Sequence, residues 1–132
     1  MNKKIKISFD FDETLSRDWV QKFAKELPKE QTELYILTSR LGSMQRMKYP
    51  NLKSNEDIYA VAADVGIPPH RISYTNQASK WMVLENSGID IHVDDDKREL
   101  YGINFTNVKA FDVNAENFKE NFMLYIKALI DF

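Results

Sequence analysis

The chain has 132 residues, of which 43% are apolar and 29% are charged, and its 18 basic and 20 acidic residues give a net charge of −2. This composition is typical of one globular domain with a single core, and it argues against a strongly basic nucleic-acid coat protein. The sequence contains no cysteine, no apolar run long enough to cross a membrane and no apolar leader after Met1, so we expect a cytoplasmic protein without disulfides or thiolate metal sites.

Short strand-like segments alternate with helix-like segments along the whole chain. The spacing of the apolar residues predicts both kinds of element. In chain order they are a strand over 5–9, a helix over 17–27, a strand over 34–37, a helix over 55–65, a strand over 71–74, a helix over 77–87, a strand over 89–93, a helix over 97–101, a strand over 108–111 and a helix over 115–130. This alternation predicts an α/β fold, a three-layer, doubly wound parallel sheet of about five strands with helices on both faces.

Several residues mark where the predicted helices begin and end. Gly66, Gly88 and Gly102 each follow a helical segment and each precede an isoleucine. Glycine readily adopts the positive φ that often ends a helix, so we expect these three residues to be helix ends. Ser16 is expected to cap the first helix, and Pro28 to stop it.

The first and fourth predicted strands carry more polar residues than a parallel strand covered on both faces usually does. They contain Lys6, Ser8, Asp90 and His92. Either the helices cover one face of the sheet thinly, or these side chains lie near the edge where the strands begin. We expect His92 to be a structural strand residue rather than a ligand.

Polar and charged side chains collect where the predicted strands end. These residues are Asp10, Asp12 and Thr14 after the first strand, Thr38, Ser39 and Arg40 after the second, Lys80 at the start of the third helix, and Asp94, Asp95 and Asp96 after the fourth strand. The carboxyl ends of parallel strands meet at one edge, where several carboxylates would repel each other without a cation among them. Hard oxygen ligands suit Mg²⁺, and the basic and hydroxyl side chains suit an anion. We therefore predict a Mg²⁺ site and a phosphate-bearing substrate.

The two aspartates after the first strand suit different chemical roles. Asp10, at the strand end, can attack phosphorus and form an aspartyl-phosphate. Asp12, two residues further on, can protonate the leaving oxygen and then deprotonate the attacking water, which is typically worth about 10²–10⁴-fold. Lys80, together with Mg²⁺, would neutralise charge on the transferred group.

Three assignments at this edge have open alternatives. Lys53 or Lys97 could supply the cation in place of Lys80. Arg40 is compatible with a substrate contact and with a surface ion pair. Asp96 is expected to belong to a helix N-terminus, where acidic residues are favoured.

These segments resemble, in order, the four motifs of the haloacid dehalogenase (HAD) superfamily and span most of the chain. The matching residues are Asp10-x-Asp12-x-Thr14, the apolar strand ending at Thr38, Lys80, and the apolar strand ending in Asp94-Asp95. The resemblance implies Asp10 as nucleophile, Asp12 as general acid and base, and Thr38 and Lys80 as phosphate-binding residues. The implied Mg²⁺ ligands are Asp10, the backbone carbonyl of Asp12, and Asp94, Asp95 or both.

The spacing of the motifs resembles that of the uncapped members of this superfamily. One predicted helix takes up most of residues 15–37, and one loop, one helix and one strand account for 40–80, so neither interval has room for a cap domain. Uncapped members generally act on bulky or macromolecular substrates, or use an oligomer as a lid. Both a monomer and an oligomer are therefore compatible with the resemblance. Glu13 occupies a position that is Gly in many members.

The segment 40–55 adds a hint about the substrate. It has no acidic residue, four basic residues and an aromatic ring, and its notable residues are Arg40, Met44, Arg46, Met47, Lys48, Tyr49 and Lys53. Positive charge beside an aromatic ring suits a nucleotide or the end of a nucleic-acid strand, although a plain solvated loop fits equally.

The Thr38-Ser39-Arg40 run also resembles the phosphatase half of polynucleotide kinase–phosphatases. We therefore expect a phosphomonoesterase acting on a nucleotide or nucleic-acid terminal phosphate, with a phosphoprotein or small-metabolite phosphatase, or a non-catalytic HAD-like binding module, as alternatives.

Overall fold

The computed structural model describes residues 3–42, 46–49 and 54–131, and within them five strands form one sheet. The strands are β1 (Ile5–Phe9), β2 (Thr32–Thr38), β3 (Ile72–Tyr74), β4 (Ile91–Asp94) and β5 (Lys109–Asp112). The α-helices are α1 (Asp18–Lys25), α2 (Glu56–Val65), α3 (Lys80–Leu84), α4 (Lys97–Ile103) and α5 (Phe118–Asp131). A wide turn over Phe11–Leu15 follows β1, and a 3₁₀ turn over Pro69–Arg71 precedes β3.

All strand pairings are parallel, and the strand order is β3-β2-β1-β4-β5. The chain builds the sheet outward from β1 to β3, crosses back, and adds β4 and β5 on the other side of β1. This doubly wound, Rossmann-like topology confirms the predicted α/β fold class. The direction of building reverses between β1 and β4, and ligands of such sheets bind at the carboxyl ends of the strands at this switch point.

The sheet has a large core on one face and a small core on the other. Helices α1, α2 and α5 pack on the large core, which contains Ile7, Phe9, Ile36, Ile91 and Val93 of the strands. Helices α3 and α4 cover the other face, where the buried cluster consists of Leu37, Leu84, Ile103 and Val108. In the part of the chain that the structure describes, no helix is both long and apolar enough to traverse a lipid bilayer.

The polar residues of β1 and β4 have two different explanations. Ser8 and His92 alternate with core residues of the large face, so they point to the thinly covered face, where both are buried. Lys6 and Asp90 lie where the strands begin, and the Lys6 backbone N–H donates to Asp90 Oδ2 at 2.8 Å. The thin helix cover on one face therefore explains Ser8 and His92. The position near the edge where the strands begin explains Lys6 and Asp90.

The prediction that three glycines end helices is right for Gly66 and wrong for Gly88 and Gly102. Gly66 directly follows α2 with φ +96°, as expected for a residue that ends a helix, whereas Gly88, with φ +87°, lies four residues beyond the end of α3 at Leu84. Gly102 instead lies inside α4, which continues to the buried Ile103. A Cβ at Gly102 would come within 2.9 Å of Cδ1 of Trp81. Glycine is therefore needed at position 102 for close packing against α3, not for a positive φ.

The helices nearest the candidate site also differ from the predictions. Helix α3 covers Lys80–Leu84 rather than 77–87, because Asn76, Gln77 and Asn86 have φ values of 55°, 69° and 64°, which an α-helix cannot contain. Ser16 does not cap α1, since Arg17 is the N-cap and no side chain bonds there. The Ser16 hydroxyl instead accepts the Glu13 backbone N–H at 3.1 Å.

Candidate active site

Three carboxylates meet at the carboxyl ends of the two neighbouring central strands. Asp10 follows β1 and Asp94 ends β4, and the Asp10 backbone N–H donates to the Val93 carbonyl at 2.9 Å. Asp10, Asp94 and Asp95 each offer an oxygen, and these oxygens all lie within 4.8 Å of one another. The predicted gathering of these three acids at one edge of the sheet is what the structure shows.

The wide turn after β1 directs its two aspartates to different partners. The Leu15 N–H bonds to the Asp10 carbonyl at 3.0 Å, and the Ser16 N–H bonds to the Phe11 carbonyl at 2.9 Å. Inside this turn the backbone of Asp12 is extended, while Glu13 adopts the left-handed region at φ 60°. As a result Asp10 points into the sheet edge, where 5% of it is exposed, and Asp12 is exposed.

The Thr14 hydroxyl connects the wide turn to the acid cluster through contacts with two carboxylates. The Thr14 side chain is fully buried. Its hydroxyl lies 3.3 Å from Asp10 Oδ2 and 3.2 Å from Asp95 Oδ1, so it bridges carboxylates that follow two different strands. Thr14 therefore helps to fix the orientation of both acids.

Lys80 lies between two of the carboxylates. Its Nζ is 2.7 Å from Asp10 Oδ1 and 2.6 Å from Asp94 Oδ2, and 3% of its side chain is exposed. The loop before α3 is bonded to the end of β2, since the Thr75 N–H donates to the Thr38 carbonyl and the Gln77 N–H to the Ser39 carbonyl. We call Asp10, Lys80 and Asp94 the inner triad.

Asp94 is the most completely bonded carboxylate of the inner triad. Its Oδ1 accepts the backbone N–H groups of Asp95 and Asp96, at 2.9 and 3.1 Å. Its Oδ2 accepts from Lys80 Nζ and from His92 Nε2, the latter at 2.8 Å. Burial alone would raise the pKa of Asp94, but the His92 bond and the Lys80 charge outweigh it and hold the pKa below its usual range.

Asp10 has the opposite electrostatic balance. Burial and the neighbouring Asp94 charge raise its pKa to about 8, although Lys80 lowers it. Burial also lowers the pKa of Lys80, but Asp10 and Asp94 more than compensate and raise it above the usual range. The lysine is therefore charged, and its ammonium contacts the carboxyl groups of Asp10 and Asp94.

This donor set fits a small divalent cation. With all three carboxylates ionised, the cluster would carry an excess of negative charge in a mostly buried place, and the raised pKa of Asp10 expresses that strain. Carboxylate oxygens are the ligands that Mg²⁺ prefers, usually one or two of them together with water and phosphate oxygens. A divalent cation would favour the ionised form of Asp10.

A second group of charges lies beside the inner triad and nearer to solvent. The Arg40 guanidinium contacts both oxygens of Asp12, at 2.7 and 2.9 Å, and both oxygens of Asp57, at 2.7 and 2.8 Å. It also stacks over the Phe11 ring at 5.2 Å. We call Asp12, Arg40 and Asp57 the outer triad. Of the two roles open for Arg40, the structure shows the ion pair, and its partners include the proposed acid–base residue.

The remaining predicted phosphate-binding residues lie at the same edge of the sheet. Thr38 is buried at the end of β2, and its hydroxyl accepts the Arg40 backbone N–H at 3.3 Å. Ser39, the next residue, is exposed. Asp96 is the N-cap of α4 and accepts the Arg98 N–H at 2.9 Å, which confirms its assignment to a helix N-terminus.

The alternative cations and the basic segment are only partly covered by the structure. Lys97 is exposed at the start of α4, so Lys80 is the lysine that contacts the acids among the described residues. Met47, Lys48 and Tyr49 are exposed. The other residues of interest in the segment, Met44 and Lys53, lie outside the described residues.

Sequence reasoning missed two contributors to the site. His92, expected to be only structural, bonds directly to Asp94, and Asp57 at the start of α2 binds Arg40. The first could have been found from the alternation of side chains along a strand, since Ser8 and Asp10 share one face of β1, and His92 and Asp94 share the same face of β4. No comparable pattern marks Asp57.

Comparison of the chain with protein-family models, with curated proteins and with solved structures finds no match.

Proposed function

We propose that this protein is a Mg²⁺-dependent phosphomonoester hydrolase of the HAD type that acts through an aspartyl-phosphate. The observation that carries the proposal is the buried contact of Lys80 with Asp10 and Asp94, beside Asp95, at the switch point of the sheet. A carboxylate nucleophile, a fixed ammonium and a set of hard oxygen ligands are the groups that phosphoryl transfer through an aspartyl-phosphate uses.

Each charged side chain of the inner triad has one part in this reaction. An Asp10 carboxylate oxygen attacks phosphorus, and the bond from phosphorus to the leaving oxygen breaks. The Lys80 ammonium stabilises negative charge on the phosphoryl oxygens in a site where water screens it little. Asp10, Asp94, Asp95 and the Asp12 carbonyl are the groups that would hold Mg²⁺, which neutralises phosphoryl charge when bound.

Asp12 serves as the proton donor and acceptor. It gives a proton to the leaving oxygen, then takes one from the water that attacks the aspartyl-phosphate, so that inorganic phosphate leaves and Asp10 is regenerated. In the structure Arg40 holds the Asp12 carboxylate with two hydrogen bonds. A phosphate dianion competes with Asp12 for Arg40, so substrate binding frees Asp12 for the proton transfer.

The preferred substrate class is a terminal phosphate of a nucleotide or nucleic acid. Its support is the exposed Tyr49 and Lys48 that follow β2, and the exposed Ser39 and Asp12 at the site, which suit a substrate too large for an enclosed pocket. The cytoplasmic location and an oligomeric lid stay predictions.

A hydrolysis assay tests the chemistry. Wild-type protein with Mg²⁺ should hydrolyse a generic aryl phosphate and lose the activity in a chelator, and Asp10→Asn should lower kcat by about 10⁴-fold or more. Asp90→Asn is the matched control, because Asp90 lies at the opposite edge of the same sheet. Equal rates for wild type and Asp10→Asn would rule the mechanism out.

A substrate panel tests the class. Oligonucleotides phosphorylated at the 5′ or 3′ end, free nucleotides, phosphopeptides and sugar phosphates should be compared by kcat/KM. Highest values for the oligonucleotides or nucleotides support the proposed class. Highest values for phosphopeptides or sugar phosphates favour the alternative phosphatases, and Mg²⁺ binding without turnover on any substrate favours a binding module.

A further inference from the structure

A chain of buried polar side chains runs beneath the inner triad. His92 is completely buried in β4, and Ser8 is 1% exposed in β1. The Ser8 hydroxyl lies 2.6 Å from His92 Nδ1, and His92 Nε2 lies 2.8 Å from Asp94 Oδ2. Both ring nitrogens therefore have a partner, and the chain of contacts ends on the oxygen that also binds Lys80.

The register of the sheet explains why these side chains meet. Ser8 and His92 are partners in the parallel pairing of β1 with β4. Two residues further along each strand stand Asp10 and Asp94, on the same face as Ser8 and His92 because strand side chains alternate. The pair thus forms the layer directly below the acids that Lys80 bridges.

The direction of the hydrogen bonds follows from the chemistry of the partners. An ionised carboxylate can only accept, so His92 Nε2 carries a hydrogen and donates it to Asp94. A neutral imidazole carries one ring hydrogen, so with that hydrogen on Nε2 the Nδ1 atom is a bare acceptor that faces the Ser8 hydroxyl. The Ser8 hydroxyl then donates to Nδ1 and fixes both the tautomer and the plane of the ring.

A merely structural role does not require this arrangement. An apolar pair of similar volume in the same place would fill the small core without the cost of burying polar groups. The ring instead reaches Oδ2 of Asp94 and shares that oxygen with Lys80. Partners of this kind, which orient a ligand group from behind, are known to tune metal sites.

We propose that His92, oriented by Ser8, is a positioning residue that fixes the Asp94 carboxylate, and through it Lys80, for binding the divalent cation and the phosphate. The inference rests on the proposed function, since it concerns the same site. Without the ring donor, Oδ2 of Asp94 keeps only the Lys80 bond among the contacts described here, so the lysine is drawn toward Asp94 and away from Asp10.

The first test is a nitrogen-15 NMR spectrum of the histidine rings in the cation-free protein. The chain has two histidines, and the exposed His70 is the internal reference. We expect His92 to show a protonated Nε2 and a bare, hydrogen-bonded Nδ1, and Ser8→Ala to shift the Nδ1 resonance. A protonated Nδ1 in the wild type would overturn the inference, because the ring would then not be oriented by the Ser8 hydroxyl.

The second test is Mg²⁺ affinity, measured by calorimetry. His92→Leu removes the donor but keeps the bulk of the side chain, and we expect it to bind Mg²⁺ about 10–100-fold more weakly. His92→Gln, whose carboxamide N–H replaces Nε2–H, should recover most of that loss. Ile91→Val is the matched control, because it perturbs the same strand on the other face and should lower only the melting temperature.

The outcomes separate the inference from the proposed function. Wild-type Mg²⁺ affinity in folded His92→Leu overturns the inference, as does an equal loss in His92→Gln and His92→Leu. If His92→Leu does not fold, Ser8→Ala decides, with a weaker Mg²⁺ affinity expected and an unchanged one contradicting the inference. Mg²⁺ binding without turnover on any phosphate overturns the proposed function alone, whereas a wild-type chain that binds no Mg²⁺ overturns both.

Discussion

The inner and outer triads have the same composition, two carboxylates around one basic side chain, at different depths. In the inner triad the exposed fractions of the side chains are 3% for Lys80, 7% for Asp10 and 0% for Asp94. In the outer triad they are 19% for Arg40, 54% for Asp12 and 32% for Asp57. The two groups begin two residues apart in the chain, at Asp10 and at Asp12.

Depth decides what each triad can do. Charges that are removed from water interact strongly and cannot exchange partners cheaply, so the inner triad shifts the pKa of Asp10, and a bound divalent cation would balance its negative charge. Charges near water are screened, so the outer triad contributes little stability and can release one of its partners. The proton transfer proposed for Asp12 requires such a release, and the nucleophilic attack proposed for Asp10 requires a fixed position.

The largest expected effect comes from removing the basic residue of the inner triad, and removal of the basic residue of the outer triad is its comparison. Lys80→Met leaves Asp10 and Asp94 buried without their cation, so the free energy of unfolding without Mg²⁺ should fall by about 3–5 kcal/mol. Arg40→Met should cost less than about 1 kcal/mol. Urea unfolding with and without Mg²⁺ measures both, and Mg²⁺ should restore part of the loss only in Lys80→Met. Equal losses in the two variants would contradict the distinction by depth.

The next effect concerns the proton transfer assigned to Asp12. Asp12→Asn should lower kcat by about 10²-fold on an alkyl phosphate, whose leaving oxygen needs a proton. An aryl phosphate with an acidic leaving group should be affected much less in the first step. Asp57→Asn keeps Asp12 and removes one partner of Arg40, so it is the matched control. A loss in the first step, measured as the initial burst of leaving-group release, that is the same for both leaving groups would show that Asp12 is not the acid.

The sequence predicted the fold and the inner triad for one physical reason. Neighbouring parallel strands end at the same edge of the sheet. Residues at the strand ends, such as Asp10 and Asp94, are therefore brought together whatever the conformation of the loops that follow. Lys80 could be placed because it begins a helix that returns to that edge. These placements depend on topology, which the alternation of apolar segments indicates.

Contacts set by side-chain reach or by loop conformation could not be predicted in this way. Arg40 meets Asp57 because the Arg40 side chain spans the gap between the end of β2 and the start of α2. Helix α3 begins late because Gln77 is held in the left-handed region by its N–H bond to Ser39. Neither the partner of Arg40 nor that backbone conformation is encoded in a local pattern of residue types.

A smaller effect tests the electrostatics of the inner triad without any assay of activity. The pKa of Asp10 is raised to about 8 in the folded protein, whereas an unfolded aspartate ionises near its ordinary value of 3.8. The folded chain therefore retains a proton that the unfolded chain releases, so metal-free stability should fall as the pH rises from about 4 to about 8. Asp10→Asn cannot ionise and should escape this fall.

We expect Asp10→Asn to be more stable than the wild type by about 1–3 kcal/mol at pH 7 without metal, with the difference vanishing near pH 4. Mg²⁺ should reverse the order, because it binds the carboxylate of the wild type. Thermal unfolding across this pH range, with and without Mg²⁺, measures the difference. A wild type that is equally stable at pH 4 and pH 8 would show that Asp10 ionises normally.

The smallest effect concerns the turn that separates the two triads. Glu13 adopts φ 60°, a conformation that glycine adopts without strain and that other residues adopt at a cost. Glu13→Gly should therefore change the free energy of unfolding by less than about 1 kcal/mol, since relief of strain is offset by a more flexible unfolded chain.

Glu13→Val, with a β-branched side chain at positive φ, should destabilise the turn by about 1–2 kcal/mol. Because the turn directs Asp10 inward and Asp12 outward, Glu13→Val should also lower kcat, while Glu13→Gly leaves kcat near that of the wild type. A Glu13→Val variant that matches Glu13→Gly in both measurements would mean that this backbone conformation does not separate the two aspartates.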